Sequence, residues 1–158
     1  MEVTNEELKE YFTKLVNESN PLYGKTFCFL GSSVTYGVDN VSFVDFIQKN
    51  NGCKCIKEAV PGTTLTNIDE QSYVRRLINN IDKSVKIDHF ICQLSTNDTG
   101  KKLALGEIST SYDINDFNTT TIVGAIEYII AYAMKTWQCP VSLIYGVTQE
   151  YQIWLMRF

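Results

Sequence analysis

Histidine is almost missing from this chain: His89 is the single one in 158 residues. It is the most restrictive count in the composition, because imidazole is the usual general base of enzyme sites. Basic residues are also in short supply. Lys plus Arg number 14 against 18 Asp plus Glu, a formal charge of −4, which gives no electrostatic reason to seek nucleic acid or an anionic membrane. Long apolar runs are lacking too. The longest, around Ile122–Met134, is broken by Glu127 and falls short of the ~20 apolar residues that span a bilayer. The N-terminus reads Met1-Glu2-Val3-Thr4-Asn5-Glu6-Glu7, with no basic stretch ahead of an apolar one. No signal peptide is read there, and a cytoplasmic location is expected.

Cysteine is present but not in a pattern that builds a site. Cys53 and Cys55 form a C-x-C pair, closer than the usual zinc half-site, and no second half-site follows. Cys28, Cys92 and Cys139 lie in or beside apolar runs. Five reduced thiols serving mainly as core filler are expected, with no metal and no cofactor. The rest of the composition, 44% hydrophobic and 20% charged, is that of a soluble globular fold and excludes collagen-like, disordered and coiled-coil classes. The length suits one domain covering residues 1–158.

Along the chain, Thr4-Asn5-Glu6-Glu7 is a capping-box pattern that opens an amphipathic helix with Leu8, Tyr11, Phe12 and Leu15 at helical spacing. Asn20-Pro21 ends it. Lys25–Leu30 is a short apolar strand stopped by Gly31, and a helix-like stretch runs from Ser42 to Lys49. Cys53–Val60 reads as a second strand ending in Pro61-Gly62. Ser72–Ile81 is a helix with Val74, Leu77, Ile78 and Ile81 on one face. His89–Leu94 is a third strand, followed by a long polar loop over Thr99–Asn118. Thr119–Trp137 is the longest helix, with Ile122, Ala125, Ile126, Ile129, Ile130 and Ala133 as its buried stripe. Pro140–Val147 is a fourth strand, and the tail Gln149–Phe158 fits no element. Strands alternating with helices predict a parallel sheet built from βαβ units. The expected fold is a three-layer α/β/α sandwich with a flavodoxin-like sheet in the order 2-1-3-4.

Ligands of open parallel sheets bind beyond the carboxyl ends of the strands. Here those ends are Gly31-Ser32-Ser33, Pro61-Gly62-Thr63-Thr64 and Ser95-Thr96-Asn97-Asp98, and the order 2-1-3 makes them neighbours. Ser33, Gly62 and Asn97 are therefore expected to face one small volume. A hydroxyl at Ser33 is placed to attack an acyl carbonyl. The N–H groups of Ser33 and Gly62 and the side-chain amide of Asn97 are three donors for the resulting oxyanion. Taken singly, the same residues read equally as a helix N-cap at Ser33 and a loop cap at Asn97-Asp98. Thr35, Tyr36 and Thr63 are expected to line the pocket. Gly31 to Gly37 is no Walker loop, since no Lys-Ser/Thr follows it.

Together the three segments resemble the SGNH (GDSL-type) esterases and lipases. Phe29–Gly37 is similar to the family's first block, with Ser33 at the nucleophile. Ala59–Leu65 is similar to the second, with Gly62 an oxyanion donor. Leu94–Asp98 is similar to the third, with Asn97 another donor. The resemblance implies a serine esterase acting through an acyl-enzyme on small-molecule or carbohydrate esters. Ser32 departs from the family's usual aspartate and Ser95 from its usual glycine. The family's Asp-x-x-His element, which supplies the general base, has no counterpart in the sequence, so weak or absent activity is expected and the chain reads as C-terminally truncated or frame-shifted. His89 does not substitute. It opens the strand that Asn97 follows, which at about 3.3 Å per residue places the two roughly 26 Å apart. The alternative is a catalytically silent binding module, a remnant that keeps an anion or phosphate pocket. With a fifth strand missing, strand four is expected at an edge. The tail residues Tyr151, Trp154 and Phe158 cover it, or two copies pair there as a homodimer.

Overall fold

Beta-branched, aromatic and cysteine side chains dominate Thr26–Gly31 (β1) and His89–Gln93 (β3), and in the computed structural model both are covered on both faces. The structure describes residues 3–145; the tail and Val147 lie outside the described residues. In chain order the elements are α1 (Asn5–Ser19), β1, α2 (Ser33–Tyr36), α3 (Phe43–Asn51), β2 (Lys54–Ala59), α4 (Tyr73–Asn79), β3, α5 (Asn97–Gly100), a 3-10 turn at Ile114–Asp116, α6 (Ile122–Trp137) and β4 (Val141–Ile144). The four strands form one parallel sheet in the order β2-β1-β3-β4, as the alternation of elements predicts. Among the described residues no helix is long and apolar enough to cross a membrane.

The pleat divides the core. Cys28, Leu30, Phe90 and Cys92 point to one face, where α4 and α6 supply Val74, Leu77, Ile126 and Ile129. Phe27, Phe29 and Ile91 point to the other, where α3 supplies Val44 and Ile47. The predicted stripe of α6 is buried, with Ile130 only half-buried. The prediction for α1 meets a different outcome. Its capping box forms at Thr4 and Glu7, yet Leu8, Tyr11, Phe12 and Leu15 are all 41–60% exposed. The side turned toward Tyr23 is the polar one: Lys9, Thr13 and Lys14 line an open groove of about 480 Å³ there, which holds none of the three strand-end residues. Periodicity made the helix legible but did not say which side would be covered.

Lys57 ties the segment after α2 to the sheet. Its Nζ donates to the Asn40 carbonyl at 2.6 Å and to Asp45 Oδ2 at 2.7 Å. The Lys57 ammonium and the Ser42 N–H hold the Asp45 carboxyl below the ordinary aspartate range. The folded chain thus binds that proton less readily than the unfolded one. The stabilisation is complete above the usual aspartate value of about 3.9 and is lost as pH falls below it. Urea midpoints measured at pH 6 and pH 3 are expected to drop less in Asp45→Asn than in the parent chain.

Candidate active site

The carbonyl ends of β1, β2 and β3 lie side by side, and the three segments that follow them are joined by buried polar side chains. β1 runs into Ser32, which caps α2 with its backbone at φ −117° and ψ −138°. Ser33 is the first residue of that single turn and is exposed, whereas Ser32 and Thr35 are buried. Gly31 is glycine for a steric reason: a Cβ there would sit 2.0 Å from Thr35 Oγ1, so the helical turn folds directly onto the strand end. Gly62 is glycine for a conformational one. Its φ is +78°, a region that costs other residues about 1–2 kcal/mol, and the space in front of it is open.

Asn97 and the Gly62-Thr63 turn are in direct contact. Asn97 Nδ2 donates to the Thr63 carbonyl at 2.8 Å, and Ser95 Oγ donates to the same oxygen at 2.9 Å. The Asn97 N–H in turn donates to Ser95 Oγ at 3.0 Å. A carboxamide nitrogen carries two N–H groups, and one of them is engaged in this bond.

The turn that carries Ser33 is tied to the end of β3 through the neighbours of Ser33. Gln93 Oε1 accepts from the Ser32 N–H at 3.0 Å and from Thr35 Oγ1 at 3.2 Å, while its Nε2 donates to the Leu94 carbonyl. The turn that carries Ser33 is therefore hung on the last residue of β3. Asp98, 1% exposed, does the same between the second and third segments. Its carboxylate accepts from the N–H groups of Leu65 at 2.9 Å and Thr66 at 3.0 Å. Arg76, also 1% exposed, joins the first segment to the second.

Sequence reasoning missed these three polar side chains. For Arg76 a signal existed: it falls three residues after Tyr73 and one before Leu77, on the apolar side of α4. An arginine on a buried stripe needs partners for all its N–H groups. Of the residues expected to line the pocket, Thr35 and Thr63 are buried. The Thr35 hydroxyl donates to Gln93 Oε1 and the Thr63 hydroxyl to the Val60 carbonyl.

His89 occupies the other end of the sheet. It pairs in register with Phe27 at the start of β1, and its Nε2 is 2.8 Å from Ser142 Oγ. Five thiols are free, four of them buried. Among the described residues no cluster of three or more His, Cys, Asp or Glu side chains is arranged to hold a metal ion.

No family model and no curated protein sequence matches this chain. Solved structures do. A protein of Lactobacillus plantarum superposes with a TM-score of 0.64 at 20% identity, over 79% of this chain and 57% of its own length. A protein described as a GDSL-like lipase from Bacteroides ovatus gives a TM-score of 0.62 at 16% identity, over 82% and 77% of the two chains. Another so described, from Bacteroides uniformis, gives 0.61 at 16%, over 82% and 76%. The chain thus spans little more than half the length of the Lactobacillus protein and about three quarters of the two Bacteroides ones. Strand order, strand-end segments and these superpositions agree: the chain has the fold of the SGNH, or GDSL-like, hydrolases.

Proposed function

We propose that this chain carries the nucleophile and oxyanion hole of a serine ester hydrolase acting on small or carbohydrate-linked esters. The observation that carries the reading is the contact between the Asn97 carboxamide and the Thr63 carbonyl, which sets the amide beside the Gly62 turn. Ser33 Oγ attacks the acyl carbonyl, its proton leaves to a base, and the alcohol departs from an acyl-enzyme that water then hydrolyses. The oxyanion receives the N–H of Ser33, the N–H of Gly62 and the second N–H of Asn97. The first of these has no acceptor within its own helical turn.

The base is the weak point. The sequence holds no second histidine, and His89 bonds Ser142 at the far end of β3. Without imidazole at hand Ser33 is a poor nucleophile near neutral pH, so slow turnover is expected of these residues alone, with the base supplied from outside them.

A fluorophosphonate probe is expected to label Ser33 slowly in the parent chain and not at all in Ser33→Ala. Asn97→Ala is expected to lower the labelling rate and p-nitrophenyl acetate turnover about 10²–10³-fold, the loss of one oxyanion donor. No labelling, with turnover no higher than in Ser33→Ala, would leave the second reading: a silent fold that retains only an anion-binding pocket.

A further inference from the structure

We infer that Arg76 is a positioning residue that fixes the gap between Ser33 and Gly62; the inference rests on the reading of those two residues as nucleophile and oxyanion donor. Its guanidinium has five N–H groups, and five bonds are made. Nε donates to the Gln71 carbonyl at 2.8 Å. Nη1 donates to the Glu58 carbonyl at 3.2 Å and to Glu58 Oε1 at 3.1 Å. Nη2 donates to the Gly31 carbonyl and to Thr63 Oγ1, both at 3.0 Å. One nitrogen atom therefore holds an acceptor two residues before Ser33 and another one residue after Gly62. Those two acceptors are kept no further apart than twice 3.0 Å.

Thr63 passes the restraint on. Its hydroxyl donates to the Val60 carbonyl at 2.7 Å and its own carbonyl receives Asn97. The third donor of the proposed oxyanion hole is thus set from the same nitrogen. The Tyr73 ring lies 5.1 Å from the guanidinium carbon and covers one face of it.

Stability alone does not call for this arrangement. A buried ion pair such as Arg76–Glu58 is often replaceable by well-packed apolar side chains at no loss. A planar fork does what they do not: it holds several acceptors at fixed directions. Lysine keeps the charge and most of the stem, but its three donors sit on a single nitrogen.

The test is Arg76→Lys, read by amide hydrogen exchange and by fluorophosphonate labelling. The Ser32 N–H, held by Gln93, and the Val60 N–H, held by the Gly31 carbonyl, are expected to exchange about tenfold faster, with Phe90 and the α6 amides unchanged. The maximal labelling rate at Ser33 is expected to fall about tenfold to 10²-fold at an unchanged half-saturating probe concentration. Thr63→Val, which removes one acceptor and leaves the arginine, is expected to give the same pattern more weakly and serves if Arg76→Lys does not fold. Exchange unchanged in the variant, or raised evenly across β3 and α6, would overturn the inference. A parent chain that never labels at Ser33 refutes the esterase reading, while the exchange arm still decides whether Arg76 sets the gap.

Discussion

Replacing Asp98 by alanine is expected to lower the free energy of unfolding by about 3–5 kcal/mol. The carboxylate is 1% exposed and is the acceptor for the N–H groups of Leu65 and Thr66. Hydrogen bonds to a charged group contribute about 1.5–3 kcal/mol each, and an N–H left buried without an acceptor adds its own desolvation cost. Both amides belong to a stretch that is itself buried, from Thr63 to Thr66, so water does not replace the lost oxygens without opening the segment. Asp98→Asn retains one carbonyl oxygen but turns an NH2 toward the second amide, and is expected to lose about half as much. Urea titration of the three chains measures the effect. A loss below about 1 kcal/mol for Asp98→Ala would mean that the segment after β2 is held by something else. Because Leu65 follows Gly62 by three residues, the same substitution is expected to slow Ser33 labelling even where the chain remains folded.

The second large effect belongs to the core. Phe90→Ala is expected to cost about 3–5 kcal/mol. Phe90 is fully buried in β3, with β1 on one side and β4 on the other. Its ring stacks on Trp137 with centroids 5.7 Å apart and planes 9° from parallel, a contact that adds about 0.5–1.5 kcal/mol beyond the area buried. Trp137 ends α6, and its indole N–H donates to the Asp82 carbonyl at 3.2 Å. Removing the ring therefore loosens strand, helix and the loop before β3 together. Both the urea midpoint and the emission of Trp137 are expected to shift. Phe90→Leu, which refills most of the space, is expected to lose less than half as much.

The sheet could be read from the sequence because its signals are local and repeated. Thr26–Gly31, Lys54–Ala59 and His89–Gln93 are apolar or alternating runs ended by glycine, proline or small polar residues, and parallel pairing follows from the helices between them. Ser33, Gly62 and Asn97 were legible as candidates for the same reason: each sits where a strand stops. The single turn α2 was marked only by a capping serine, read at Ser33 where the structure has Ser32, and the single turn α5 was not legible, since four residues show no periodicity. Neither were Gln93 and Asp98. Their partners lie 58–61 and 32–33 residues away, and nothing in a run of sequence marks a polar side chain whose acceptors or donors come from another segment. The outward-facing stripe of α1 failed for a related reason. Spacing identifies an amphipathic helix, while the surface it meets depends on the rest of the chain.

The thiols are spread across the sheet. Cys28 lies in β1, Cys55 in β2 and Cys92 in β3, and Cys139 comes two residues before β4. Burial raises all four above the ordinary thiol range, Cys92 to about 12 and Cys28 further still. Cys28 and Cys92 are also fully buried, and since only the thiolate reacts, iodoacetamide at neutral pH modifies them in the molecules whose β1 or β3 has come apart. Alkylation followed by peptide mass analysis would therefore compare the opening equilibria of these two central strands with no residue changed.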